Sequence, residues 1–338
     1  MKKKISIYDI AKYSNVSPAA VSYVINGKNK VSEETKKKVL AAIEELGYVP
    51  DHTARTLSTG KSHLIGLMLP LDDTSIAFLQ NPFYVEFIGG LEQGISNYDY
   101  DIVIGCKKKI NTFKHWAKSR GLDGVVMLGN YPENVYQDIK ELNIPVVLTD
   151  IYEEHSKEFH NIRIDDEKGT YIATKHLIEN GHKKIGFVGC KDLSLVDKHR
   201  YLGYLKAMKE ANLEVKEDYN YFSFATFDDG YKVADKIYEK KNVTAVVCAA
   251  DIIAIGIIKR YNERKIKVPD ELSIVGFDDI QDAKFIYPGL TTIRQDIGQK
   301  GKLAAETILK SLNEGIAEKT LIVTESYLVI RESVKQID

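Results

Sequence analysis

From Leu64 to Phe277 the chain alternates short apolar runs with amphipathic stretches, and this alternation narrows the possible folds more than any other feature. The strand-like runs are 64–69, 101–106, 125–128, 145–148, 185–189, 245–249 and 273–277. Helical stretches lie between them, among them 166–180, 199–211 and 229–240. Strands separated by helices predict parallel sheets covered on both faces, because a parallel connection needs a crossover long enough to hold a helix. A region of roughly 270 residues is large for one such sheet, so two doubly wound α/β lobes are expected. No internal repeat or low-complexity tract interrupts the pattern.

The first 50 residues read differently, as an all-α helix-turn-helix headpiece. Ser6-Ile7-Tyr8-Asp9 has the spacing of a capping box, and Ile7, Ile10 and Ala11 continue at helical spacing. Ser14-Asn15 ends this helix, since Asn tolerates the left-handed backbone of a tight turn. Ser17-Pro18 starts a second helix, with Val21, Val24 and Ile25 on one side and Pro18, Ala19, Ser22, Tyr23 and Asn26 on the other; Gly27 closes it. Ser32-Glu33-Glu34 opens a third, whose stripe is Val39, Ile43 and Leu46 and whose stop is Gly47. Two helices joined by a tight turn and followed by a third form a helix-turn-helix unit. The second helix offers small and polar groups that suit a major groove, although a solvated helix in a small bundle reads the same way.

Charge favours the DNA reading. The 338-residue chain has a net charge of -1, but residues 1–61 hold 11 Lys and Arg against 6 Asp and Glu, and the remainder holds 36 against 42. A basic head on an acidic body suits a polyanion-binding module joined to something else. Residues 51–61 form a hinge or linker: Asp51 is placed to cap a helix of about two turns, too short to be stable by itself.

Five motifs stand in order: I-Y-D-I-A at Ile7–Ala11, V-S-x-x-x-V-S-x-V-I-N at Val16–Asn26, V-S-x-x-T at Val31–Thr35, L-G-Y-x-P at Leu46–Pro50 and A-R-x-L at Ala54–Leu57. The chain therefore resembles the lactose-repressor (LacI/GalR) family of bacterial transcription regulators. The resemblance implies base reading by Pro18, Ala19 and Tyr23 on the second helix. It implies phosphate or backbone contacts by Ser6, Tyr8, Ser17, Ser22, Asn26, Ser32 and Thr35. It also implies a DNA-induced hinge helix containing Ala54 and Leu57, with Leu57 wedged into the minor groove. For the body it implies a periplasmic-binding-protein-like fold of two lobes, with the chain crossing between them near residues 160, 290 and 325. The sequence departs from the family's usual residues at Asn15, Ala20, Asp51 and Ala250. Asp51 brings a negative charge near phosphates, and Ala250 lacks the amide of the frequent Asn.

In doubly wound sheets ligands bind beyond the carboxyl ends of the strands. Asp150, Asp251, Asp278 and Asp279 follow strand-like runs, Arg200 starts a helix after another, and Asn81-Pro82-Phe83-Tyr84 ends the first long loop. Charged and amide groups suit sugar hydroxyls, and aromatic rings suit the apolar face of a sugar. An Asp at such a place equally fits an N-cap, Phe83 and Tyr84 equally fit a core, and Arg200 equally fits a structural ion pair. The resemblance selects Asn81, Phe83, Asp150, Arg200 and Asp278 for an effector pocket, and Gln295 is a further candidate.

Catalytic motifs are absent. Thr59-Gly60-Lys61-Ser62 lacks the first Gly and the preceding strand of a P-loop, and there is no G-x-G-x-x-G, H-E-x-x-H or G-x-S-x-G. Cys106, Cys190 and Cys248 are widely spaced, which argues against disulfides and a Cys-based zinc site and fits a reducing cytosol. No cofactor, metal, signal peptide or membrane span is expected. The expectation is a cytoplasmic homodimer, without a coiled-coil tetramer, on a pseudo-palindromic operator. A sugar or sugar phosphate would serve as effector in control of carbohydrate uptake or catabolism. The alternatives are a global carbon-catabolite regulator with a phosphocarrier protein partner and a sugar-modifying enzyme with a doubly wound fold.

Overall fold

The computed structural model describes residues 5–25, 30–48, 60–70, 81–106, 113–152, 157–190, 195–315 and 319–338. Its contacts divide the chain into two units, Met1–His63 and Leu64–Asp338. The first unit holds helices Ile7–Ser14, Pro18–Ile25 and Glu33–Leu46. Ile10, Ala11, Val21, Val39 and Ala42 form its buried core, with Ile7, Val16, Val24, Ile43 and Leu46 packed around them. The core is small, so the end signals matter. Ser6 and Asp9 form a reciprocal capping box, Asn15 turns the chain at φ 52°, and Gly47 ends the third helix at φ 61°.

The second unit contains two six-stranded sheets. The first has the order β11-β5-β4-β3-β1-β2, with β1 Leu64–Leu69, β2 Asp101–Cys106, β3 Gly124–Leu128, β4 Val146–Thr149, β5 His160–Ile164 and β11 Leu321–Thr324. The second has the order β12-β10-β9-β8-β6-β7, with β6 Ile185–Gly189, β7 Asn220–Phe222, β8 Ala245–Cys248, β9 Ser273–Asp278, β10 Thr291–Gln295 and β12 Ser326–Val329. All pairings are parallel except that of β10 with β12. Central strands such as β3, β6 and β9 are buried along their whole length, as helices on both faces require. The strands that the apolar runs leave out are β5, β7, β10, β11 and β12. All five lie at or next to a sheet edge with polar or half-exposed residues, which blurs the apolar signal.

The chain passes between sheets three times: from β5 into helix Asp166–Glu179, from β10 into helix Ile297–Glu314, and between β11 and β12. The first two crossings fall a few residues beyond the expected 160 and 290; the third falls at 325. Helix Ile297–Glu314 lies against helix Pro82–Ile95 so closely that a Cβ on Gly90 would come within 2.0 Å of the Gly298 carbonyl oxygen. This close crossing sets Phe83 and Lys300 near each other, with the ammonium 5.7 Å from the ring centroid. Among the described residues, no helix is long and apolar enough to cross a membrane.

Candidate functional site

Two surfaces carry the candidate residues. On the head, the hydroxyls at the helix starts are engaged locally. Ser6 Oγ accepts the Asp9 N–H at 3.4 Å, Ser17 Oγ accepts the Ala20 N–H at 3.1 Å, and Ser32 Oγ accepts the Thr35 N–H at 3.2 Å. The Thr35 hydroxyl lies 3.0 Å from that of Ser32. Each sits at the positive end of a helix, where phosphate oxygens are favoured. Pro18 and Ala19 are exposed on the second helix, while Ser22 and Tyr23 are half-buried beside them. The Lys30 ammonium stands 5.6 Å from the Tyr23 ring centroid, and Tyr8 is 70% exposed. Asn26, Ala54 and Leu57, with Gly27 and Asp51, lie outside the described residues.

In the body, a cavity of about 310 Å³ opens where the carboxyl ends of both sheets meet. This is at the small end of ligand cavities, which run from roughly 300 to 1,000 Å³. Pro70 after β1, Leu128, Gly129 and Asn130 at the end of β3, and Asp150 after β4 line it from one lobe, together with Asn81, Phe83 and Tyr84. Asp197, Arg200, Ala249, Ala250 and Asp278 line it from the other. Asn81 accepts the Phe83 N–H at 3.1 Å, so the same side chain caps helix Pro82–Ile95 and borders the cavity. Phe83 and Tyr84 pack edge to face with centroids 5.8 Å apart. The aspartates that end β4 and β9 sit in left-handed backbone, Asp150 at φ 57° and Asp278 at φ 111°. Such conformations cluster at functional sites because surrounding structure must hold them in place.

Behind this wall runs a buried ionic chain joining the lobes. The Lys300 ammonium, fully buried, donates to both oxygens of Asp150 at 2.7 and 2.9 Å and to Gln295 Oε1 at 2.6 Å. Gln295 Nε2 donates to Asp278 Oδ1 at 2.6 Å. Arg200 Nη2 lies 3.4 Å from the same oxygen, its Nε donates to Asp166 Oδ1 at 2.7 Å, and its Nη1 donates to the Ala249 carbonyl. The guanidinium also stacks 3.7 Å from the Phe277 centroid. Tyr152 closes the chain by donating to Asp166. Burial raises the pKa of Asp150 and Asp197, and it pushes Asp278 up to about 6 against the pull of Arg200. Burial, with Asp278 and Asp150 nearby, pushes the Tyr84 phenol up to about 12, so it remains a proton donor.

The structure thus brings Asn81, Phe83, Tyr84, Asp150, Arg200 and Asp278 to one cavity and leaves two candidates out. Asp251 is fully buried, accepting the Ile280 N–H at 2.9 Å and the Thr292 hydroxyl at 2.5 Å; it ties the ends of β8, β9 and β10 together. A Cβ at Gly276 would come within 2.1 Å of its carboxylate, so glycine makes room for it. Gln295 stands one layer back, orienting Asp278 and Lys300. Asp279 turns away to Arg331 at 2.6 Å. Arg200 is itself in ion pairs, so it does not depend on a ligand for partners. Sequence reasoning missed Lys300, Asp166, Asp197 and Asn130. The available signals were the glycines flanking Lys300 at 298 and 301, which mark a close helix crossing, and Asp197 lying three residues before Arg200. Among the described residues, no cluster of His, Cys, Asp and Glu is arranged to hold a metal ion.

Residues 6–51 match the model for bacterial regulatory proteins of the lacI family, and residues 174–334 match a periplasmic binding protein-like domain. The chain is 33% identical over 341 residues to the HTH-type transcriptional repressor PurR of Mannheimia succiniciproducens, covering 98% of this chain and 99% of that one. It is 35% identical over 336 residues to the HTH-type transcriptional regulator RegA of Clostridium saccharobutylicum, covering 97% and 98%. The crystal structure of the lac repressor dimer bound to operator and an anti-inducer superimposes with a TM-score of 0.84 at 23% identity, covering 98% of this chain and 100% of that one.

Proposed function

The chain belongs to the lacI family of bacterial regulatory proteins, a DNA-binding transcription regulator and not an enzyme, and we propose that it acts as a homodimeric repressor whose cleft binds a small sugar-like effector. The alternative of a sugar-modifying enzyme falls with that membership. In this reading residues 1–50 read DNA, 51–61 form a hinge, and 62–338 dimerise and bind effector. Each head takes one half of a pseudo-palindromic operator, since two-fold symmetry in the protein favours two-fold DNA. Pro18, Ala19 and Tyr23 meet base edges, the helix-start hydroxyls meet the backbone, and Leu57 wedges into the minor groove between the half-sites and bends the DNA. The site of action is the cytoplasm, where the chromosome lies.

The observation that carries the effector reading is the 310 Å³ cavity bordered by both lobes, with the carboxylates of Asp150 and Asp278 and the ring of Phe83 on its wall. A molecule touching both lobes favours one lobe arrangement over another, and it alters operator affinity only by that difference. Hydroxyl donors for the carboxylates and an apolar face for Phe83 describe a sugar, which supports control of carbohydrate genes. Selection of duplexes from a random pool by the full-length protein tests the DNA half of the reading: an enriched inverted repeat supports it, and no enrichment over scrambled sequence defeats it. A thermal-shift screen of sugars tests the other half, because a ligand well above its Kd raises the melting temperature.

A further inference from the structure

The ionic groups around the cleft constrain the charge of its ligand, an inference that rests on the cleft being the effector site. We propose that the cleft takes a molecule that donates hydrogen bonds through hydroxyl or amine groups and carries no phosphate or carboxylate. Among the described residues, the wall carries more carboxylates than cations, and those cations are engaged.

Recognition of an anion needs cationic donors free to turn toward it. Lys300 has three N–H bonds, and all three are directed at Asp150 Oδ1, Asp150 Oδ2 and Gln295 Oε1. Arg200 is the one Lys or Arg among the described residues that line the cavity. Its three nitrogens point at Asp166, the Ala249 carbonyl and Asp278, and one face of its guanidinium is covered by Phe277. Turning it to a phosphate would strip Asp166, which is 1% exposed, of its cation.

The acceptor side is the reverse. Among the described lining residues, Asp150, Asp197 and Asp278 set three carboxylates against the Arg200 guanidinium, with the Lys300 ammonium behind Asp150 and the Cys190 N–H donating to Asp197 at 2.8 Å. Asn130 also lines it, and its Oδ1 is buried without a hydrogen-bond partner. A buried acceptor left unpaired is costly, and an O–H or N–H from a ligand removes that cost. The other polar groups of the wall, the Asn81 amide and the Tyr84 phenol, are neutral. Burial already raises the pKa of all three carboxyls against the pull of Lys300 and Arg200, and an anionic guest would add charge repulsion to that burial.

The test incubates the full-length protein with a deproteinised bacterial metabolite extract supplemented with hexoses, hexosamines, hexose phosphates and hexuronic acids. Bound compounds are separated by ultrafiltration and identified by mass spectrometry in both ion modes. Retained compounds are expected to be neutral or amine-bearing. Their retention should fall about tenfold or more in Asp197→Asn and Asp278→Asn, as expected for loss of a charge-assisted hydrogen bond. Retention of a phosphorylated or carboxylated compound overturns the charge assignment and leaves the effector reading standing. Undiminished retention by both variants overturns the assignment of those carboxylates. Retention of nothing, by protein that still selects an inverted repeat, overturns the effector reading and this inference with it.

Discussion

The head and the body satisfy their polar side chains by opposite means. In the head, Ser6, Ser17 and Ser32 each bond to a backbone N–H three residues along the chain, and Tyr8 remains 70% exposed. In the body, Lys300 is fully buried and meets Asp150 across 150 residues of sequence, and Arg200 meets Asp166 across 34. Local bonds at a solvated surface leave the groups available to a second surface, and each contributes little to stability alone. Buried bonds between distant parts of the chain depend on the whole fold, so removing one partner exposes the full cost of desolvating the other. A DNA-reading head suits the first arrangement. A ligand-sensing body suits the second, because small shifts in a buried ionic chain have large energetic consequences.

The largest expected effect follows from that contrast. Lys300→Met leaves Asp150 buried without its cation and should destabilise the body by about 3 kcal/mol or more. Trp116 is the only tryptophan in the chain and is buried in the first lobe, so its fluorescence in a denaturant titration reports body unfolding directly. The double variant Lys300→Met with Asp150→Asn should recover much of the loss, since it removes the stranded charge and Asn tolerates the left-handed backbone at φ 57°. A double variant no more stable than the single one would break the comparison, because the cost would then lie in packing.

The second effect is a pH dependence confined to the body. Asp278 titrates at about 6 in the folded protein because of its burial, above the roughly 3.9 of an unfolded Asp. The folded state therefore binds more protons between those values, and stability falls as pH rises from about 4 through 6. Burial lowers the pKa of His160, His176, His182 and His199, so these groups push the other way in the upper part of the same window. The Asp278 contribution is read as a difference. Relative to Asp278→Asn, the wild type should lose about 2–3 kcal/mol between pH 4 and 7. Parallel stability curves for the two proteins would show that Asp278 is not held in its protonated form by burial.

The same contrast explains what was legible in the sequence. Caps, turns and a 3.6-residue period are local, and the head follows them: Ser6, Ser32, Asn15 and Gly47 stand where their chemistry requires. The buried strands β1, β3 and β6 announce themselves by composition, whereas β7 is three residues long and β12 is half-exposed. Strand-end position places Asp150 and Asp278 on the cavity wall, whereas Asp251, chosen by the same rule, lies off it. Its side chain meets Ile280 and Thr292, partners 29 and 41 residues away, and no local pattern reveals them. Lys300 was invisible for the same reason, since a lysine on a helix reads as solvated until the sheet facing it is known.

The third effect moves to the DNA-reading face. Tyr23→Ala should change which operator positions are preferred, by about 1–3 kcal/mol at the bases it meets, because base-edge contacts carry energies of that order. Binding of the full-length protein to a panel of single-base operator variants checks this. An unchanged preference would assign Tyr23, half-buried beside Lys30, to the support of the second helix instead.

The smallest effect separates capping from phosphate binding in the head itself. Ser6 Oγ accepts the Asp9 N–H and donates to Asp9 Oδ2 at 2.6 Å, and the Ser6 N–H donates to the same oxygen at 2.9 Å. Ser6→Ala removes the hydroxyl half of that box and should cost the head about 1 kcal/mol, seen as faster amide exchange along Ile7–Ser14. The salt dependence of operator binding should be unchanged, because that slope counts neutralised phosphates and Ser6 carries no charge. If affinity falls with no change in amide exchange, the hydroxyl serves the DNA and not the helix, and the head's polar groups are not locally satisfied in the way the contrast with the body requires.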